Sequence, residues 1–470
     1  MTSAVRVVVL LVAVVVGLCA PVSAEWFDTP DFTDHEIPSV ESPSADSTWW
    51  EYIDVLVLLA ALSVSSYFVL VNRWRRGILG VTIFSLAYFG FFRYGCVCSI
   101  GSIQNVALAI CDSSYAIPTT IVAFFVLPLV FTLFFGRTFC ASVCPLGAVQ
   151  ELITIRSVKV PKAIDHALGL VPYFYLGAAV IFAGTGAAFV ICRYDPFVAM
   201  FRLGGDVNML VFGGCVLLIG FFVGRPYCRY LCPYGGVLAL LSKVSWRHAK
   251  ITPTDCIQCR LCEEACPYGA ISEPTVDQPQ DRRLFGRRRL TWVLLAAPVL
   301  VGAFAVMGTL LSGPMARVHP DVHLAESLQW EEARQSAILE IAPEQRSDQQ
   351  EAFLAQLTAE QGTTDATQDF RERNASLAQQ YELAAEWQGR FRWLGGWFGA
   401  WVGLVIGVKL INLCIRRRSP DYVTDRASCV SCGRCYWYCP NEQLRLGLIE
   451  DVSEMVDAAV LERSAAKAQK

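Results

Sequence analysis

The chain has 470 residues, 54% hydrophobic and 17% charged, with a formal net charge of −3 and a mean hydropathy of +0.42. That composition points to a membrane protein rather than an ordinary soluble domain, and the mildly acidic balance excludes a basic surface for nucleic acid. Nineteen cysteines is a high count, but twelve of them fall in metal-type spacings, which predicts metal loading and excludes a secreted disulfide framework.

Arg6, the apolar run Val7 to Leu18, and Val22-Ser23-Ala24 before Glu25 read as a cleavable signal peptide over residues 1–24. Cys19 follows Leu18, where a lipoprotein box would place Gly or Ala, so lipidation is not expected. Residues 25–51 are acidic and rich in Ser and Pro, and are expected to form an outer (periplasmic) linker. Apolar segments then recur at Ile53–Val71, Ile78–Phe92, Ile117–Phe135, Ala167–Ile191, Val207–Val223, Leu290–Leu311 and Leu394–Leu413. Each is long enough, or nearly so, to cross about 30 Å of hydrocarbon. The expected fold is therefore mainly α, a polytopic bundle of about seven spans. Cationic clusters follow the first span (Arg73, Arg75, Arg76), the third (Arg156, Lys159, Lys162), the fifth (Lys243, Arg247, Lys250) and the seventh (Arg416, Arg417, Arg418), and precede the sixth (Arg287, Arg288, Arg289). All fall inside if the mature N-terminus is outside, which is the orientation Lys and Arg favour.

Within the expected core, 52–250, one pattern occurs twice. Gly136-Arg137 to Gly147 and Gly224-Arg225 to Gly235 both read G-R-x-aromatic-C-x₃-C-P-x-G, an offset of 88 residues (136 to 224). Arg93-Tyr94 and Arg193-Tyr194 recur upstream, at the expected outer end of the preceding span. The chain is thus expected to hold two transmembrane hairpins related by a pseudo-twofold axis along the membrane normal. That symmetry would bring Cys140, Cys144, Cys228 and Cys232 together, four thiolates suited to a further iron–sulfur cluster or to Cu(I). The alternative is that these cysteines pack helix ends. Cys96, Cys98 and Cys192, near the outer ends, are open between a disulfide, a redox relay and packing. Cys111, Cys215 and Cys414 read as buried filler, and the Arg-Tyr pairs as interfacial anchors or a quinone headgroup site.

The first ferredoxin half, 251–285, carries Cys256, Cys259, Cys262 and Cys266 before Pro267; the second half and tail, 419–470, carries Cys429, Cys432, Cys435 and Cys439 before Pro440. Both spell C-x₂-C-x₂-C-x₃-C-P. Compact cages of iron and sulfide need soft thiolates closely spaced, and the fourth cysteine of each run ligates the other cluster. Cys256, Cys259 and Cys262 are therefore paired with Cys439, and Cys429, Cys432 and Cys435 with Cys266. Neither zinc nor disulfides demand three thiols at this spacing plus a distant fourth, twice over. Between the halves lie spans at 290–312 and 393–415 and a periplasmic segment, 313–392, rich in Ala, Glu, Gln and Leu and expected to be helical with a break near Gly362-Thr363-Thr364. His319 and His323, four apart, read as a helix start or as metal ligands.

Paired C-x₃-C-P motifs (Cys140/Cys144 and Cys228/Cys232) followed by paired ferredoxin runs resemble the membrane polyferredoxins of the NapH and NosR type. The related CcoG-type copper-reducing assembly factors share these elements. The resemblance covers about Ile78 to Gly269 and the run Cys429 to Pro440; unlike those relatives, 162 residues separate Cys266 from Cys429. It implies a bacterial inner-membrane protein with two cytoplasmic [4Fe-4S] clusters, moving electrons between the quinone pool or a cytoplasmic donor and a periplasmic redox protein. A copper-reducing assembly factor and a redox-sensing scaffold are the alternatives. With no Gly-rich nucleotide fingerprint and no nucleophile–base pair, an electron-transfer subunit is expected rather than a stand-alone catalyst.

Overall fold

A computed structural model of the chain describes residues 48–456 apart from 96, 156–157, 203, 205, 252–255, 276–280, 359–361, 374–375, 416–418 and 420. The expected signal peptide, most of the linker, Cys96, the Arg416 cluster and the end of the tail lie outside the described residues. The protein is mainly helical, as a chain in lipid must be to satisfy its own backbone. Four helices are long and apolar enough to cross a membrane: Trp49–Leu70, Lys162–Gly184, Arg287–Leu310 and Leu377–Cys414. A fifth is obtained if Pro196–Arg202 and Val207–Gly220, bent by 105°, count as one span.

The segment expected at Ile78–Phe92 is helical but divided, Arg75–Ser85 running into a π-helical stretch Leu86–Phe92, and Thr119–Phe135 has 17 residues. The span expected at Ala167–Ile191 stops at Gly184. Gly186 turns the chain with φ +68°, and the Thr185 hydroxyl donates to the Ile181 carbonyl at 2.9 Å.

Both stretches expected at the outer helix ends instead fold back between the helices. Cys111, the last residue of helix Ser102–Cys111, lies against Gly184, and the two helices pack together. Ser102 is nine residues, about 13 Å, from Cys111 along that helix. In the second copy the Tyr175 hydroxyl donates to the Val190 carbonyl at 3.3 Å. Tyr175 is nine residues, about 13 Å, from Gly184. Cys98 and Cys192 are thereby brought together beside Gly101, at the start of the helix Ser102–Cys111.

The helices Asp281–Leu310 and Leu377–Cys414 pair along Gly395, Gly399, Gly403 and Gly407, all buried. A Cβ at Gly399 would overlap the Phe304 carbonyl, and one at Gly403 would meet Val301 Cα at 2.8 Å. Small residues every fourth position permit such close backbone approach in lipid. The Trp401 indole docks the pair on the core by donating to the Tyr173 carbonyl at 2.8 Å.

The 313–392 segment is helical over Pro320–Leu339, Asp348–Thr358 and Asp365–Glu372. At the Gly362-Thr363-Thr364 break, buried Glu331 accepts from the Thr363 and Thr367 hydroxyls and pairs with Arg371 at 2.7 Å. His319 caps a helix and stacks on Trp387 with ring centroids 4.0 Å apart, whereas His323 is exposed. His319 thus starts the helix as the sequence suggested but is buried rather than solvated, and His323 faces away from it.

Candidate iron–sulfur sites

A two-stranded antiparallel ladder joins the ferredoxin halves, Ile271 opposite Thr424 and Ser272 opposite Val423, with Asp425 N–H donating to the Ala270 carbonyl at 2.7 Å. The cysteine loops on either side share one conformation. Gln258 and Arg260 in the first, and Ser431 and Gly433 at the corresponding places in the second, all have positive φ. Left-handed backbone between the cysteines curls each loop so that its thiols face one point.

The thiols gather across the split. Cys256, Cys259, Cys262 and Cys439 line one small cavity, with Ile251 and Tyr422 beside them. Cys429, Cys432 and Cys435 are in electrostatic contact with Cys266. Cys266 and Cys435 also pack against the group around Cys262 and Cys439, so the two sets adjoin. Burial pushes Cys429 up to about 12 even though Ser431 N–H donates to its sulfur at 3.4 Å.

A third group forms within the helical frame. Cys140, Cys144 and Cys232 are buried and Cys228 is half-buried, and all four interact with one another. Their segments are not single helices as the four-residue spacing suggested. Phe139–Val143 is a π-helical turn, Pro226–Tyr230 a short helix, and each proline starts a new helix. The loops are recessed: the Thr138 carbonyl accepts from Ser65, and Ser142 donates to Ser65 at 2.8 Å. Burial pushes the Cys228 thiol up to about 11 despite the neighbouring Arg225.

The rest of the repeated motif is explained by reciprocal contacts. Arg225, fully buried, donates to the Cys140 and Ala141 carbonyls of the first copy. Arg137 of the first copy reaches Cys140 Sγ at 3.7 Å and lies over Gly235 of the second. A Cβ at Gly147 would meet Arg225 Nη1 at 3.1 Å, and one at Gly235 the Cys228 carbonyl at 3.1 Å. Arg225 thus needs the glycine at 147 in the other copy, whereas Gly235 is held small by the Cys228 carbonyl of its own copy and is in ordinary contact with Arg137.

Sequence reading missed Glu151. Its carboxylate, 4% exposed, takes Arg225 at 3.2 Å, Arg434 at 2.8 Å and Arg75 at 3.5 Å, and accepts from the Tyr268 hydroxyl at 2.8 Å. Burial alone would raise its pKa, but Arg225, Arg434 and Arg75 outweigh it and hold the carboxyl at about 2. Arg75 also donates to the Cys432 carbonyl at 3.0 Å. Glu151 therefore ties the third thiol group to the second ferredoxin loop. A Glu between a helix start and a basic stretch carries no signal of this in sequence.

The donor sets fit iron–sulfur cages. Each set consists of four cysteines, the soft donors such a cage takes, and no group of three or more Cys, His, Asp or Glu is placed to hold a metal ion among the described residues. A cubane, each iron taking its own thiolate, needs a wider ring than a single ion does. The remaining cysteines differ from the filler reading: Cys215 is buried, but Cys111 is exposed and Cys414 lines a cavity. That cavity, about 1400 Å³, has an apolar wall of Tyr173, Trp401 and Leu404, a charged edge where Lys243 and Arg287 share the lining with Asp165, Glu273 and Asp425, and Cys228 within its lining. Arg93, expected as an interfacial anchor, is ion-paired to buried Asp54 at 2.8 Å, whose other oxygen accepts from Tyr88.

Comparison with known proteins agrees. One family model described as a 4Fe-4S binding domain matches residues 117–163 and 206–253, around the two C-x₃-C-P motifs. A second of the same description matches 249–272 and 422–445. The chain is similar to Protein NirI of Paracoccus denitrificans, 31% identical over 247 residues, 47% of this chain and 35% of that one. An uncharacterized protein of Methanocaldococcus jannaschii is 29% identical over 207 residues, 42% of this chain and 84% of its own. Regulatory protein NosR of Pseudomonas aeruginosa is 26% identical over 281 residues, 53% of this chain and 38% of that one. The chain thus spans little more than a third of the length of NirI and NosR, and no solved structure matches it. Two pairs of four-iron domains on a frame of membrane-length helices, with relatives of this kind, support a membrane polyferredoxin of the NapH/NosR type.

Proposed function

We propose that the chain is a relay of three [4Fe-4S] clusters that passes electrons between the quinone pool or a cytoplasmic donor and a periplasmic reductase system. Cys256, Cys259, Cys262 and Cys439 hold one cluster; Cys429, Cys432, Cys435 and Cys266 hold the second; Cys140, Cys144, Cys228 and Cys232 hold the third. When bound, the clusters supply one-electron redox chemistry, and the protein sets their spacing and surroundings. The observation that carries this reading is the contiguity of the thiol groups. Cys266 and Cys435 pack against the first, while buried Arg225 interacts with both Cys228 and Cys432. Arg137 and Arg225 compensate the negative charge of thiolate-bound clusters. The cluster reading of Cys140, Cys144, Cys228 and Cys232 is favoured over Cu(I) because the family model around them describes 4Fe-4S binding. The large cavity beside Cys228 suits a quinone, its apolar wall taking the tail and its charged edge the headgroup. Seven spans in a bacterial cytoplasmic membrane, with both ferredoxin halves on its cytoplasmic side, complete the arrangement.

The test is anaerobic purification in detergent with iron, sulfide and copper analysis. About twelve iron atoms per chain are expected from three four-iron cages. Replacing Cys140, Cys144, Cys228 or Cys232 singly by Ser should each remove about four, because a cage missing one thiolate is labile. Copper in place of the third cluster, or full iron in all four variants, would refute the assignment.

A further inference from the structure

Cys98 and Cys192 come from the two copies, and both sulfurs flank Gly101, within 3.8 and 3.4 Å of where its Cβ would stand. They interact with each other and with Asp195, which is 3% exposed. The Gly101 N–H donates to Cys98 Sγ at 3.3 Å, and the Gln104 amide donates to Cys192 Sγ at 3.8 Å while its carbonyl accepts from Ile191 N–H. Cys98 is also within electrostatic reach of Cys144, and Tyr175 interacts with Cys192, Asp195 and Cys232 together. Two thiols from distant parts of the chain thus meet beside the four-cysteine group, on its side toward Gly184.

We propose that Cys98 and Cys192 are a redox-active dithiol–disulfide pair that exchanges electrons with the cluster at Cys140, Cys144, Cys228 and Cys232. This rests on the relay reading for its electron partner. On oxidation the two S–H bonds break and one S–S bond forms. Two electrons leave singly to the oxidised iron–sulfur centre in successive turnovers, and two protons pass through the Asp195 carboxylate. Reduction runs the same steps backward. Cys98 is half-buried and Cys192 exposed, and the buried Asp195 carboxylate, within electrostatic reach of both sulfurs, is the group that takes up the protons as the electrons leave. The pair stores two electrons next to a one-electron carrier and extends the relay from the third cluster toward the Gly184 end of the frame.

The experiment equilibrates the anaerobically purified protein in glutathione buffers of graded potential, alkylates free thiols, and maps disulfides by peptide mass spectrometry. A Cys98–Cys192 linkage that appears and disappears reversibly is expected, with Cys111 alkylated throughout. Cys98→Ser and Cys192→Ser should keep wild-type iron and sulfide yet slow quinol-linked electron transfer at least tenfold, while Cys111→Ser does not. Absence of the linkage at every potential, its replacement by Cys96–Cys98, or iron loss in both serine variants would overturn the proposal. Wild-type protein without iron would instead refute the relay and leave the linkage result to stand alone.

Discussion

Replacing Glu151 by Gln removes the one carboxylate that three buried or half-buried guanidiniums share. Displacement of its carboxyl from 4.5 to about 2 corresponds to about 3 kcal/mol at 1.36 kcal/mol per pH unit. That agrees with the roughly 3–5 kcal/mol lost when one partner of a buried pair is removed. Because the folded-state value is depressed, the stabilisation is complete above about pH 4.5 and disappears as pH falls toward about 2. At neutral pH the Gln variant therefore mimics the acid form. Thermal unfolding in anaerobic detergent, followed by cluster absorbance, should show Glu151→Gln less stable by about 3 kcal/mol. The double variant with Arg434→Met should recover at least about 1 kcal/mol, since fewer charges remain unpaired. A Gln variant within about 0.5 kcal/mol of wild type, or strict additivity in the cycle, would show that the network does not hold the ferredoxin module to the frame.

Gly399→Leu should separate the Asp281–Leu310 and Leu377–Cys414 helices, since its side chain would occupy the position of the Phe304 carbonyl. A loss of about 1–3 kcal/mol is expected, and Gly302→Leu, which meets open space, should be near neutral by the same unfolding assay. Ending the chain before Thr424 removes Cys439 as well as the second loop, so both ferredoxin-type paramagnetic signals should vanish; one intact [4Fe-4S] signal in the truncated protein would mean that each run closes its own site. Reporter fusions after Glu344 and at the C-terminal end should be active on opposite sides of the membrane, as the cationic clusters predict. Activity of both on one side would overturn the orientation.

Cysteine spacing alone predicted the cross-split pairs, because a cage of soft ligands imposes short local intervals that survive in any sequence bearing it. Apolar runs likewise marked where helices lie, since lipid forces backbone satisfaction within each segment. What the sequence could not decide was how those segments fold back. Cys98 and Cys192 read as lying at the outer ends of spans because hydropathy reports transfer to lipid, not burial among neighbouring helices. Contacts from Tyr175 to Val190 and from Cys111 to Gly184 help bring Cys98 and Cys192 together beside Gly101. The reciprocal fit of Arg137 and Arg225 onto Gly235 and Gly147 is long-range for the same reason. So is the gathering of Arg75, Arg225 and Arg434 on Glu151. Residue type and local spacing indicate what each site can bind and which cysteines complete each other's sets; the charges and close contacts that hold those sets in place across 162 intervening residues depend on packing that no local pattern encodes.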